Sequence, residues 1–283
     1  MLLLVPGDAL RPRRPDEHFA AEAAAAREAG HEVAIVDHDA LATDRDPAAA
    51  VARVPAATDA VYRGWMLSSA RYAAMATALA ARDVTLRTGA EEYRRAHELP
   101  GWYPVMSPVT PATAWAEGDD RAAFDRAAAA FTSASGPAAT VLRDYTKSVK
   151  HYWAEAAYIP DILDRDAAWR VASRMRELRD DDFAGGFVLR RFEDFAGAEA
   201  RTWWVGGECR LVTAHPDTPG EPPAPDLDLT GVAALIPRLG LPFVTADLVR
   251  HRDGRWRVVE VGDGQVSDRP ASTPAADLIA VLG

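Results

Sequence analysis

The chain has 283 residues, with 32 Lys and Arg against 42 Asp and Glu, for a net charge of −10. That excess of acid excludes broad binding to nucleic acid or to an anionic membrane, while leaving room for a local basic cleft. A single cysteine, Cys209, excludes an intrachain disulfide and fits a reducing cytoplasm, and no apolar run has the length of a signal peptide or membrane span.

Taken in order, residues 2–5 read as a short buried strand ended by Pro6-Gly7. Residues 18–29, rich in Ala and Glu, predict a helix closed by Gly30, and residues 31–37 a second strand. Strand, helix and strand in so short a span form a βαβ unit, which requires parallel pairing and a right-handed crossover. A short helix at 48–53, a strand at 59–63, a helix at 69–81 and a strand at 83–86 follow. Residues 1–105 therefore read as a small open α/β domain. Its loop Tyr62-Arg63-Gly64-Trp65 leaves the carboxyl end of a strand, where open α/β sheets bind ligands. Arg63 is thus a candidate contact to a carboxylate or phosphate, against the plainer reading of a structural ion pair. Residues 93–108 carry Tyr93, His97, Trp102, Tyr103 and several prolines, and read as an irregular connection.

Residues 121–131 predict a helix, 133–137 a turn and 140–145 a strand. The strand leads into Thr146-Lys147-Ser148-Val149-Lys150-His151, where two lysines and small hydroxyls could cradle phosphates, with Arg143 behind them. A solvated basic loop is the bland reading. A helix at 167–179 carries a core stripe of Trp169, Val171, Met175 and Leu178. Gly185-Gly186 opens a strand at 187–192, and 199–211 form a hairpin turning at Gly206-Gly207. Arg201 and Arg210 lie across that turn from one another, with an ion pair to Glu199 as the structural alternative for either. The proline-rich stretch 213–225 is a loop, and 229–239 has helical spacing.

The next stretch carries the most chemistry. Strands at 243–250 and 256–261 flank a turn containing Asp253-Gly254. Asp247 interrupts the first strand and Glu260 ends the second. A carboxylate among apolar strand neighbours costs several kcal/mol unless it is compensated. Two such acids on paired strands, with Asp263 just beyond, could share a hard cation through oxygen ligands. The competing accounts are a solvated sheet face, or acids paired with Arg250 or Arg257. A short helix at 275–282 ends the chain.

Gly262-Asp263-Gly264-Gln265 follows Glu260 directly, and this strand–turn–strand ending in an acid resembles the metal-binding end of the ATP-grasp ligases. The run Glu-Val-Gly-Asp-Gly-Gln-Val-Ser resembles the ending of a divergent clade of that superfamily. The resemblance implies an α/β fold: a Rossmann-like pre-ATP-grasp domain over 1–105, then a two-lobed ATP-grasp domain over 106–283, with lobes 106–192 and 193–283. It implies ATP and Mg²⁺ as cofactors, with Asp247 and Glu260 as metal ligands. Gly262 stands where the family has a ligating Asn, so Asp263 or Gln265 would supply the third ligand. Lys147 or Lys150, with Arg143, would meet the ATP phosphates, although the family's glycine-rich flap does not follow them. Arg190, Arg191, Phe192 and Glu193 would lie at the adenine hinge, with Glu199 near the nucleotide. Lys150 and Arg201 would act in catalysis, and Arg63 and Gln265 would contact substrate. The implied activity is ligation of a carboxylate to an amine or another nucleophile through an acyl phosphate. The alternative is a non-catalytic ATP- or ADP-binding module that orders a partner surface, favoured by Gly262 and the atypical lysine loop. The expected partners are ATP and a carboxylate-bearing substrate, with neither membrane nor nucleic acid.

Overall fold

The computed structural model describes residues 1–43 and 45–283. The first part contains β1 (Leu2–Pro6), α1 (Ala20–Glu28), β2 (Glu32–Val36), the short α2 (His38–Leu41) and α3 (Pro47–Ala50), β3 (Ala57–Tyr62), α4 (Ser69–Ala80) and β4 (Val84–Leu86). Its strands pair in parallel in the order β2-β1-β3-β4. Every residue of β1 is buried, as a parallel strand covered on both faces requires. Ser68 caps α4 by accepting from the Arg71 amide, which fixes where that helix starts.

Residues 93–108 are not the irregular connection expected. They belong to α5 (Ala90–His97) and α6 (Leu99–Met106). Pro100 sits in the first turn of α6, where its missing N–H leaves no bond unmade. Leu99, Trp102 and Met106 are spaced to share one face, and all three are buried. Burial of that stripe outweighs the prolines that obscure it. Tyr93 of α5 stacks on Tyr72 of α4 at 3.8 Å, tying the two helices together.

The next sheet holds β5 (Thr113–Glu117), then, after α7 (Arg121–Ser135), β6 (Thr140–Arg143), β7 (Tyr158–Ile159), α8 (Arg165–Arg179) and β8 (Gly186–Arg191). It is antiparallel in the order β5-β8-β6-β7. Helix α7 continues through the start of the expected turn at 133–137 and stops at Gly136. A third sheet holds β9 (Phe195–Val205) and β10 (Glu208–Ala214), then, after α9 (Thr230–Ala233) and α10 (Ile236–Leu239), β11 (Phe243–His251) and β12 (Trp256–Asp263). Its order is β10-β9-β11-β12, all antiparallel. Gly206 and Gly207 both take positive φ, 59° and 86°, which the tight β9–β10 turn needs. The helical spacing at 229–239 resolves into two single turns, because Pro237 suits the first turn of a new helix and not the interior of a continuous one. Helix α11 (Ala275–Leu282) closes the chain. Among the described residues no helix is long and apolar enough to cross a membrane.

The third sheet is the hub. Trp204, Val244, Ala246, Leu248, Val258 and Val261 pack one face onto α6, α9 and α10. On the other face, Trp203 and Phe243 meet Leu3, Val5 and Val61 of the parallel sheet, together with α11. Arg63 pins this junction. Its side chain is 1% exposed, with Nε and Nη2 donating to the Glu22 carboxylate at 2.8 and 3.1 Å. Nη1 donates to the carbonyls of Gly264, Gln265 and Ser267 at 2.7–2.9 Å. Gln265 is locked as well: its Oε1 accepts from the Tyr62 amide at 3.0 Å and its Nε2 donates to the Tyr72 hydroxyl at 2.8 Å. Both residues, expected to touch substrate, instead stitch the segment after β12 to the parallel sheet. Arg63→Met leaves the Glu22 carboxylate buried without its main partner and should cost about 3–5 kcal/mol in urea unfolding. A loss of roughly 1 kcal/mol or less would mark the contact as no stronger than a surface pair.

Candidate active site

The floor of the site is set by strand register. Arg201 on β9, Asp247 on β11 and Glu260 on β12 lie directly opposite one another, so their side chains share one face. Arg201 donates from Nε and Nη2 to both Asp247 oxygens at 2.8 Å, and from Nη1 to the Asp268 carbonyl at 2.9 Å. Burial pushes the Asp247 carboxyl up, but the Arg201 guanidinium reverses this and holds it well below the usual carboxylate range. Glu260 receives Arg143 Nη2 at 2.9 Å. Arg143 and then Lys147 overcome its burial and hold it at about 2. The compensating cations are therefore Arg201 and Arg143. Arg250 and Arg257, the other candidates, pair with Asp226 and Glu193.

Asp263 does not join this pair. It lies opposite Val244, and Val261 lies opposite Ala246, so strand alternation turns Asp263 to the face away from Glu260. Its Oδ1 accepts from the Gln265 amide at 2.8 Å, and its Oδ2 is sealed from solvent with no partner. Burial pushes its carboxyl up to about 7. Gly262 is on the cleft face opposite Thr245. A Cβ there would stand 3.2 Å from Thr245 Oγ1 and 3.3 Å from Ser267 Oγ, two hydroxyls that bond each other at 2.7 Å. Local crowding thus favours Gly where the family pattern has Asn.

The opposite wall is the loop after β6. Asp144 Oδ1 accepts from the amides of Thr146 and Lys147, both at 2.7 Å, and its Oδ2 holds Arg179 at 2.8 Å. This acid shapes the loop in place of glycines. The Lys147 ammonium has no ion pair or hydrogen bond among the described residues, whereas Lys150 is paired with Asp217. Behind the loop, Arg190 donates to the Val259 carbonyl at 2.6 Å and to Thr110 Oγ1 at 2.8 Å, and burial pushes it down to about 9. Arg191 bonds the Ser135 carbonyl, and Glu193 takes Arg257 in two bonds of 2.8 Å. The charged ends of these three hinge residues serve the fold. Phe192 is exposed and packs near Trp153 and Tyr158.

The walls enclose two adjoining cavities. One, of about 290 Å³, is lined by Val141, Trp153, Phe192, Phe195 and Val259. The other, of about 170 Å³, is polar and includes His97, Arg201, Asp247 and Asp217. Lys147, Lys150, His215 and Glu260 line both. His215 is new to the site, because no histidine spacing in the sequence points to it. Its Nε2 lies 3.7 Å from Glu199 Oε2, 3.6 Å from Asp247 Oδ2 and 3.4 Å from Arg201 Nη2. The one clue is its place two residues beyond Thr213, which pairs with Arg201 and so shares its face. Burial pushes the Glu199 carboxyl up and the His97 imidazole down to about 4.

An apolar, aromatic compartment joined to cations and paired carboxylates matches a nucleotide triphosphate, and the carboxylate oxygens fit a hard divalent cation. Residues 133–282 match the model of an ATP-grasp domain, R-2-K clade family 3. The chain belongs to this family. Its fold is similar to that of the RimK-domain ATP-grasp protein of Sphaerobacter thermophilus, with a TM-score of 0.63 and 21% identity over 100% of this chain and 98% of the other. D-cycloserine synthetase DcsG gives 0.63 and 19% over 100% of both chains. The macrocyclase MdnC of Microcystis aeruginosa gives 0.55 and 14% over 100% and 99%. No curated protein matches the chain at a significant level. The two antiparallel sheets are the two lobes of the ATP-grasp fold, and ATP and Mg²⁺ are the cofactors that fold takes.

The position of Asp263 gives a pH test. Its folded-state value of about 7 lies above the ordinary 3.8, so the folded chain keeps a proton that the unfolded chain releases. Stability is therefore lost as pH rises from about 4 to 7 and stays lost above. Asp263→Asn keeps the Oδ1 acceptor and cannot ionise. It should gain stability relative to wild type at about pH 8 and not at about pH 4, with the Mg²⁺-dependent melting shift intact. Loss of that shift in the variant would return Asp263 to the metal.

Proposed function

We propose that the chain is an ATP-dependent ligase joining a carboxylate to an amine or another nucleophile, with release of ADP and phosphate. The observation that carries this reading is the unpaired Lys147 ammonium beside the Asp247–Glu260 pair, in a cleft shared by an apolar and a polar cavity. Trp153, Phe192 and Phe195 give adenine its apolar contacts. Lys147 takes the phosphates as a point charge, and Lys150 joins it on leaving Asp217. Asp247 and Glu260 would hold the magnesium, which when bound would supply positive charge against the phosphates. Arg201 orients the substrate carboxylate in the polar cavity. A carboxylate oxygen forms a bond to the γ-phosphorus as the bond to ADP breaks. The nucleophile then attacks the acyl carbon, phosphate leaves with the bonding pair, and the nucleophile's proton passes to the departing phosphate or to water. No protein nucleophile is needed.

Gly262 and the glycine-free lysine loop keep a second reading in play, a nucleotide-binding module without turnover. Saturating ATP with Mg²⁺ should raise the melting temperature, because only the folded chain binds it. An unmoved transition would refute both readings. Screening carboxylates with amines for ADP release separates them: turnover supports the ligase, and binding without turnover supports the module. Lys147→Ala should weaken nucleotide binding by about 1.5–3 kcal/mol, roughly ten- to hundredfold. Wild-type affinity in that variant would remove Lys147 from the phosphate site.

A further inference from the structure

The ligand set begun by Asp247 and Glu260 lacks its third member, and the residues after Glu260 do not supply one. Gly262 carries no donor, and a Cβ there would stand 3.2 and 3.3 Å from Thr245 Oγ1 and Ser267 Oγ. Asp263 faces the other side of the sheet, and both ends of the Gln265 amide are bonded elsewhere. The neighbouring strands do supply candidates. We infer that His215, with Glu199, completes the divalent-cation site of the cleft, so that the ion is held through one imidazole nitrogen. This rests on reading Asp247 as a cation ligand.

The geometry suits a single ion. One ligand atom each from Glu199, His215 and Asp247 lie within 4.8 Å of one another. The His215 Nε2 distances to Glu199 and Asp247 are 3.7 and 3.6 Å. Ligands about 2.1 Å from an ion stand roughly 3–4.2 Å apart, so small side-chain shifts bring Glu199, His215 and Asp247 to ligating distance, with Glu260 standing outside this group of three. A cationic group already occupies part of this space: Arg201 spans Asp247 with Nη2 3.4 Å from His215 Nε2. An entering ion displaces it and takes over its role as counter-charge.

Ligation also sets the tautomer. His215 Nδ1 now accepts from the Asp217 amide at 3.2 Å. Binding an ion through Nε2 requires the proton on Nδ1, and the Asp217 carboxylate 3.8 Å away is placed to accept it. Carboxylates commonly orient metal-bound imidazoles in this way. Asp217 becomes free for that role when Lys150 leaves it for phosphate. A nitrogen ligand also raises affinity for Mn²⁺ over Mg²⁺, since imidazole suits the softer ion better.

The test is electron spin echo modulation of Mn²⁺ bound with ADP to the full chain, labelled with ¹⁵N in histidine only. We expect a ¹⁵N coupling in the wild type that disappears in His215→Gln, with Mn²⁺ binding weakened at least about tenfold in the variant. Glu199→Gln should weaken Mn²⁺ binding while keeping the coupling. Bound Mn²⁺ with no ¹⁵N coupling in the wild type overturns the inference, whether or not the variant folds. A coupling that survives in His215→Gln also overturns it, by assigning the nitrogen to another histidine. In either case a retained ATP-dependent melting shift leaves the nucleotide-site reading standing. Failure to bind both Mn²⁺ and nucleotide overturns the two together.

Discussion

Two carboxylates directly opposite each other on paired strands repel, and burial makes Asp247 costlier still. Asp247 and Glu260 tolerate that arrangement because each draws a guanidinium from a different element. Arg201 comes from the adjacent strand β9 and Arg143 from the end of β6 in the other antiparallel sheet. The second pair matters for architecture as well as charge. It is a direct polar link between the two antiparallel sheets at the cleft itself. Removing either acid would leave a buried guanidinium uncompensated.

The floor that carries these groups is made rigid from below. Arg63 ties the carbonyls of Gly264, Gln265 and Ser267 to Glu22 on α1, and Gln265 reaches the backbone of β3 and the hydroxyl of Tyr72. Trp203 and Phe243 add an apolar seam against β1 and β3. The N-terminal sheet therefore acts as a base plate for β12, the strand that carries Glu260. The opposite wall is a short loop folded around the buried Asp144, with Lys147 lining the cleft and Lys150 held by an exposed acid. Such fixed placement of cations suits phosphoryl transfer, where most of the catalysis lies in positioning.

Much of this was legible in the sequence where local chemistry decides the outcome. The βαβ start, the Gly-Gly hairpin and the strands around Asp253-Gly254 follow from apolar runs and turn residues, and they fold as read. The acids at 247 and 260 stand out because strand interiors do not tolerate unpaired charge. What escaped depends on distance or on parity. Arg143 and Glu260 are 117 residues apart, and no periodicity links them. Asp263 looks adjacent to Glu260 in sequence, yet three residues along a strand turn it to the far face. The helices at 90–106 were hidden because tertiary burial of Leu99, Trp102 and Met106 outweighs the local signal of Pro100 and Pro104. Strand β5, Thr-Ala-Trp-Ala-Glu, has too few β-branched residues to announce itself and is formed by pairing with β8.

The charges of the cleft are arranged mostly as exchangeable pairs, and this bears on the order of events in the proposed reaction. Arg201 is bound to Asp247 and Lys150 to Asp217, so neither is free to meet an anion at the outset. Pulling Arg201 away unaided would leave Asp247 buried and unpaired, at a cost of about 3–5 kcal/mol. A divalent cation arriving with the nucleotide removes that cost by replacing one positive partner with another. Lys150 is different, because its pair with Asp217 is exposed and separates with little penalty. Among the described cations of the cleft, Lys147 starts without an ion pair. In the proposed reaction Lys147 would meet the phosphates first, Lys150 would follow, and Arg201 would turn to a substrate carboxylate only once a cation had replaced it at Asp247. The acceptor would thus bind productively only after metal and nucleotide, an order set by which pairs are buried and which are not.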